Sequence, residues 1–157
     1  MSLNIYFSHS LNRQDYSLFK HIFNFGKEHG LEVTFLEQEL TGGIPEQVKD
    51  AVGKAALVLA FLSRRGSSQA RVMEELEFSK RQNKKVLVIA ERGLQSPELQ
   101  GRRDVIPFDA RYPIDSVKRS VSIVRDLRLK REDAERVKGL VGVMVFMKTV
   151  AFFSGDK

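Results

Sequence analysis

The chain has 157 residues, no cysteine, 42% hydrophobic and 29% charged residues. One domain with a self-sufficient core is expected, and a disulfide framework, a thiol nucleophile and thiolate metal sites are excluded. The formal net charge of +6 leaves phosphates, an acidic partner or an anionic membrane as candidate contacts.

Strand-like and helix-like segments alternate along the chain. Leu3–Ser8 is a short β-prone run. Asp15–His29 spaces Leu18, Phe19, Ile22 and Phe23 as a helix would, and Gly30 follows as a C-cap. Leu31–Leu36 alternates like a strand, and Thr41-Gly42-Gly43 forms a loop. Pro45 suits the first turn of a helix whose apolar face is Val48, Ala51, Val52 and Ala55. Leu57–Leu62 and Lys85–Ala90 carry uninterrupted apolar runs, the pattern of strands buried on both faces of a parallel sheet. A helix over Gln69–Asn83 separates them, and Val105–Phe108 is the last strand. Five strands with intervening helices imply an α/β fold: a flavodoxin-like, doubly wound parallel five-stranded sheet with helices on both faces.

Asp115–Lys138 reads as one long polar helix or two shorter ones. Gly139–Phe153 is apolar nearly all round, but it is shorter than the roughly 20 residues a spanning helix needs and it contains Lys148. It reads as an element packed on the domain, an oligomer contact or a membrane-seeking tail. The first residues lack the basic n-region and apolar run of a signal peptide, so a cytoplasmic location is expected. The basic excess falls in Arg64–Lys85, Arg102–Arg103 and Lys118–Lys138. No nucleic-acid-binding motif accompanies it, so a solvated basic face is expected rather than a nucleic-acid surface.

In such a sheet the loops after the strands hold the ligand. Here these are Ser8-His9-Ser10, Glu37–Pro45, Ser63–Gln69 and Glu91–Leu94. The helix beyond Gln69 carries Glu74, Glu75 and Glu77, which point in different directions at 100° per residue. Only one can face the crevice, and periodicity leaves open whether the buried stripe is Val72, Leu76 and Ser79 or Met73, Leu76 and the stem of Lys80. Read as isolated residues, Glu75 is an exposed helix carboxylate, Ser8 and Ser10 are caps for the first helix, and His9 is a surface-loop residue. Three scattered histidines, His9, His21 and His29, offer no metal-ligand spacing, and no metal is expected.

Tyr6-Phe7-Ser8-His9-Ser10 followed by Asp15 resembles the first sequence box of the TIR (Toll/interleukin-1 receptor) domain family, in its prokaryotic type. Gly43-Ile44 with Val48 and Ala51-Val52 is similar to the family's G-x-x-I-x-x-x-I-x-x-A-I segment. Leu57–Ser63, Ser67-Ser68 and Val72–Leu76 resemble its strand, Ser-rich loop and W-V-x-x-E-L helix. Lys84–Ile89 resembles the next strand, and Gly101–Asp109 the late G-R-x-x-I-x-F-D element. The resemblance spans residues 3–127, so a TIR-like domain is expected over 1–128. Residues 129–157 are then a basic and hydrophobic extension without independent domain status.

Many TIR domains cleave NAD⁺ at the nicotinamide–ribose bond, and others only assemble signalling complexes. The resemblance implies an NAD⁺ nucleosidase giving ADP-ribose or a cyclic or variant ADP-ribose signal. It places the catalytic carboxylate at Glu75, with Ser8, His9, Ser10, Gly42, Gly43, Ser68 and Arg71 binding substrate. NAD⁺ is then the substrate and no further cofactor is implied. Self-association and contact with other TIR-containing proteins are the implied protein partners. Arg71 stands where the family has tryptophan, which either alters packing beneath the site or brings a phosphate-binding cation to it. The alternatives are a non-enzymatic TIR interaction module and a nucleoside 2-deoxyribosyltransferase-like enzyme, which shares the layout and also uses a helix-borne glutamate.

Overall fold

A computed structural model describes residues 2–9, 16–35, 44–64, 69–94, 99, 102–109 and 111–154. Five strands, β1 (Leu3–His9), β2 (Leu31–Thr34), β3 (Leu57–Leu62), β4 (Lys85–Glu91) and β5 (Val105–Phe108), form one sheet in the order β2-β1-β3-β4-β5. Every pairing is parallel. The helices are α1 (Tyr16–Glu28), α2 (Glu46–Lys54), α3 (Gln69–Arg81), α4 (Pro113–Asp126) and α5 (Arg131–Ser154). The chain therefore adopts the doubly wound, flavodoxin-like arrangement.

Strand alternation divides the core into two layers. Ile5, Phe7, Leu57, Leu59, Phe61, Leu87, Ile89, Ile106 and Phe108 meet apolar side chains of α1, α4 and α5 on one face. Tyr6, Val58, Ala60, Leu62, Val86, Val88 and Ala90 meet α2 and α3 on the other. The runs in β3 and β4 are apolar throughout because both of their faces are covered.

The ends of the elements differ a little from the sequence expectation. Strand β1 runs one residue further, to His9, and β2 stops at Thr34. Gly30 closes α1 in the left-handed region (φ +74), where a Cβ would be strained. Pro45 sits one residue before α2 rather than in its first turn, in an extended conformation. Asp115–Lys138 divides into two helices, α4 and the start of α5, with Arg128 between them at φ 56.

Helix α5 carries the hydrophobic segment. It packs against α1 and α4, and Val137, Leu140, Val141, Met144 and Val145 are buried in the larger core layer. Those side chains face protein rather than lipid. Among the described residues no helix is long and apolar enough to cross a membrane.

Candidate active site

From β1 the chain crosses to β2 on one side and then returns to β3 on the other, so the strand order reverses between β1 and β3. A crevice opens at the carboxyl ends of the strands at such a switch point. Alternation along β1 sends Tyr6 and Ser8 toward the α3 face, opposite to Ile5 and Phe7. Helix α3 comes down over the same place and buries Val72, Glu75, Leu76 and Ser79, while Glu74 and Glu77 stay exposed. The i, i+3, i+4, i+7 spacing explains this face. It also puts a carboxylate inside the protein, with Glu75 only 2% exposed.

A buried carboxylate is costly unless hydrogen bonds replace its water. Here Oε1 of Glu75 accepts two: from the Tyr6 hydroxyl at 2.8 Å and from Ser8 Oγ at 2.7 Å. Its other oxygen, Oε2, lies 3.8 Å from Nε of Arg71, one helical turn earlier. Arg71 is in turn anchored, its Nη2 donating to the His9 carbonyl at 2.7 Å. Ser79 Oγ donates to the Glu75 backbone carbonyl at 2.7 Å. Burial, then the charge of Glu75 and the hydrogen bond to it, push the Tyr6 phenol well above its ordinary value, against a smaller opposing effect of Arg71. Tyr6 therefore keeps its proton and acts as a fixed donor.

Four of the residues singled out in the sequence meet at this point: Ser8, His9, Arg71 and Glu75. Ser8 does not cap α1; its hydroxyl is used on Glu75. Glu75 is not an exposed helix residue. His9 is not a surface-loop residue either, because it ends β1 and is 5% exposed. Its ring lies on the other face, with centroids 5.5 Å from Phe7, 4.4 Å from Phe19 and 6.2 Å from Phe35. Its backbone carbonyl reaches the Glu75 cluster through Arg71. Ser10, Gly42, Gly43 and Ser68 lie outside the described residues.

Tyr6 is a site residue that none of the sequence motifs contains as a polar group. The available signal was period two along β1, which puts it on the same side as Ser8. Glu91 ends β4. Its Oε2 accepts from the Arg64 amide at 2.6 Å and from Ser63 Oγ at 3.2 Å, while Gln69 Nε2 donates to the Ser63 carbonyl at 3.0 Å. These bonds fasten the ends of the β3–α3 connection to β4. Beyond β5, Asp109 accepts from the side chain and backbone N–H of Arg111, and these bonds hold its carboxyl below the usual carboxylate range. Asp109 also pairs with Arg92 and lines a cleft of about 340 Å3 with Lys118 and Arg119. Among the described residues no group of three His, Asp or Glu side chains could hold a metal ion.

No protein-family model and no curated protein matches this chain. Among solved structures, it is similar to a CMP N-glycosidase of Clostridium botulinum at 17% identity, over 67% of this chain and 87% of that one, with a TM-score of 0.49. It is also similar to the TIR domains of the activated Roq1 resistosome that recognises the pathogen effector XopQ. That match has 17% identity over 99% of this chain and 92% of the other, with a TM-score of 0.46. At such scores neither structure assigns a substrate or a residue role here.

Proposed function

We propose that this chain is a TIR-type NAD⁺ nucleosidase that cleaves the nicotinamide–ribose bond, with Glu75 as its catalytic carboxylate. The observation that carries this reading is the Glu75 carboxylate held by the Tyr6 and Ser8 hydroxyls at the carboxyl end of β1. Breaking the bond to a cationic nicotinamide leaves a neutral leaving group, so no general acid is required. Positive charge develops on the ribose instead, and a fixed carboxylate in a dry site stabilises it. The Tyr6 and Ser8 hydroxyls occupy Oε1, so Oε2, which faces Arg71, is the oxygen offered to the ribose. Arg71 then turns from Glu75 toward the substrate's phosphates as the dinucleotide binds. Water then adds to the cationic ribose carbon and loses a proton to give ADP-ribose, or a nucleophile of the substrate itself adds there to give a cyclic or variant form; self-association belongs to this reading.

The test is nicotinamide release from NAD⁺ by concentrated protein. Glu75→Gln keeps the shape and one acceptor but removes the charge, and turnover should fall by about 10²–10³-fold. Turnover that survives this substitution defeats the mechanism. A second reading, a non-enzymatic TIR interaction module, rests on the covered position of Glu75, which suits a structural network. Self-association without nicotinamide release would select it. Cleavage of 2′-deoxynucleosides but not NAD⁺ would select the deoxyribosyltransferase-like alternative.

A further inference from the structure

Three arginines gather at the end of the sheet opposite Glu75. A cleft of about 410 Å3 opens there, where β5 begins and α4 ends, and Arg103, Arg125 and Arg128 line it above the apolar side chains of Ile123 and Leu127. Its two acids are already engaged. Asp104 takes a bidentate pair from the largely buried Arg102, at 2.9 and 2.8 Å, and Asp126 lies 3.8 Å from Arg125. Among the described residues the side chains of Arg103 and Arg128 make no ion pair. Lys85 Nζ donates to the Arg128 carbonyl at 3.3 Å and ties the turn to β4. Three arginines (Arg103, Arg125, Arg128) thus line the cleft beside two carboxylates.

The turn itself is unusual. Arg128 follows α4 in the left-handed region, a position that glycine fills without strain. The carboxyl end of α4 favours a cation nearby, but Arg125 already supplies one within its last turn. Keeping a strained arginine beside Arg103 puts a second guanidinium fork at the mouth of the cleft. Guanidinium forks match phosphate oxygens two at a time, and their combined charge outweighs the half charge of the helix end. The volume suits a small ligand, and Ile123 and Leu127 offer an apolar wall.

We infer that this cleft is a second ligand site, which binds a small phosphorylated compound of the nucleoside diphosphate class through Arg103, Arg125 and Arg128. It stands independently of any activity at Glu75. The test is calorimetric titration of the full chain with inorganic pyrophosphate, with ADP and with adenosine. Pyrophosphate and ADP should bind, and adenosine should not. Arg128→Gly keeps the left-handed turn while removing its cation; combined with Arg103→Gln it should weaken pyrophosphate binding by at least about tenfold without lowering the melting temperature. The titrations are run in parallel on Arg71→Gln, which removes the phosphate contact proposed at the Glu75 cluster; the binding that remains in that variant should be the part lost with Arg103 and Arg128. The inference is overturned if wild type gives no heat with either anion, if the double variant binds as tightly as wild type, or if the loss follows Arg71→Gln instead. It is also overturned if duplex DNA occupies the cleft while ADP does not, since the surface would then serve a polyanion.

Discussion

The two faces of β1 are built on different terms. On one, Ile5 and Phe7 join an apolar layer with α1, α4 and α5, in which burial alone is stabilising. On the other, Tyr6 and Ser8 are just as buried but spend their hydroxyls on the Glu75 carboxylate under α3. Neighbouring residues of one strand therefore differ in what their loss would cost. A methylene missing from the first face leaves a cavity; a hydroxyl missing from the second leaves a buried charge short of a partner. The polar face is the one suited to chemistry, because each of its groups is held by another rather than merely enclosed.

Four experiments press on this contrast, the largest effect first. Phe7→Ala should destabilise the fold by about 3–5 kcal/mol in urea titration, because Phe7 is fully buried in the apolar layer. A loss under 1 kcal/mol would mean that this layer repacks and is no more rigid than its counterpart. Tyr6→Phe, nearly isosteric, should cost about 1.5–3 kcal/mol by removing one of two hydroxyl donors to the carboxylate. On the proposed function it should also slow nicotinamide release, whereas an unchanged rate would detach Tyr6 from the chemistry.

The third experiment uses alkali. The Tyr6 phenol is pushed up in the folded state, so the folded protein keeps a proton that the unfolded chain releases above about pH 10. The stability in question is fully present below that pH and is lost as pH rises past it, by about 1.4 kcal/mol per pH unit. Tyr6→Phe should remove this component, so the stability curves of wild type and variant should converge at high pH. Parallel curves would show that the phenol is not held protonated.

The smallest effects test α5 against the apolar layer. A Cβ on Gly139 would come within 2.8 Å of the Phe25 ring, whereas one on Gly142 would meet nothing within 4 Å. Gly139→Ala should therefore cost about 1 kcal/mol net of its gain in helix propensity, and Gly142→Ala should gain about 0.5–1 kcal/mol. Equal gains at both positions would mean that α5 does not press on α1 as closely as the structure has it.

Much of this architecture is legible in the sequence. The uninterrupted runs Leu57–Leu62 and Lys85–Ala90 mark strands covered on both sides, and their parallel pairing follows from the helices between them. The order of strands is not written locally, because it depends on which side of β1 each crossover returns. Glu74, Glu75 and Glu77 are chemically alike in the sequence, and helix periodicity alone admitted more than one buried stripe. The docking of α3 on the sheet through Val72 and Leu76 turns Glu75 inward and leaves the other two in water. Nor could the sequence show that His9 turns its ring toward Phe7, Phe19 and Phe35 while its carbonyl accepts from Arg71.

Composition and periodicity by themselves determined a cysteine-free α/β domain, the places of its strands and helices, and the loops where polar residues gather. Tertiary structure alone decided that Tyr6 and Ser8 share one carboxylate with Arg71, and that three arginines from the start of β5 and the end of α4 line one cleft. The physical reason is range. Hydrophobic periodicity acts over a few residues and can be read in order, whereas these clusters join residues 67 to 69 positions apart at Glu75 and 22 to 25 apart at the cleft. Such groups meet only after the sheet has closed and the helices have packed upon it.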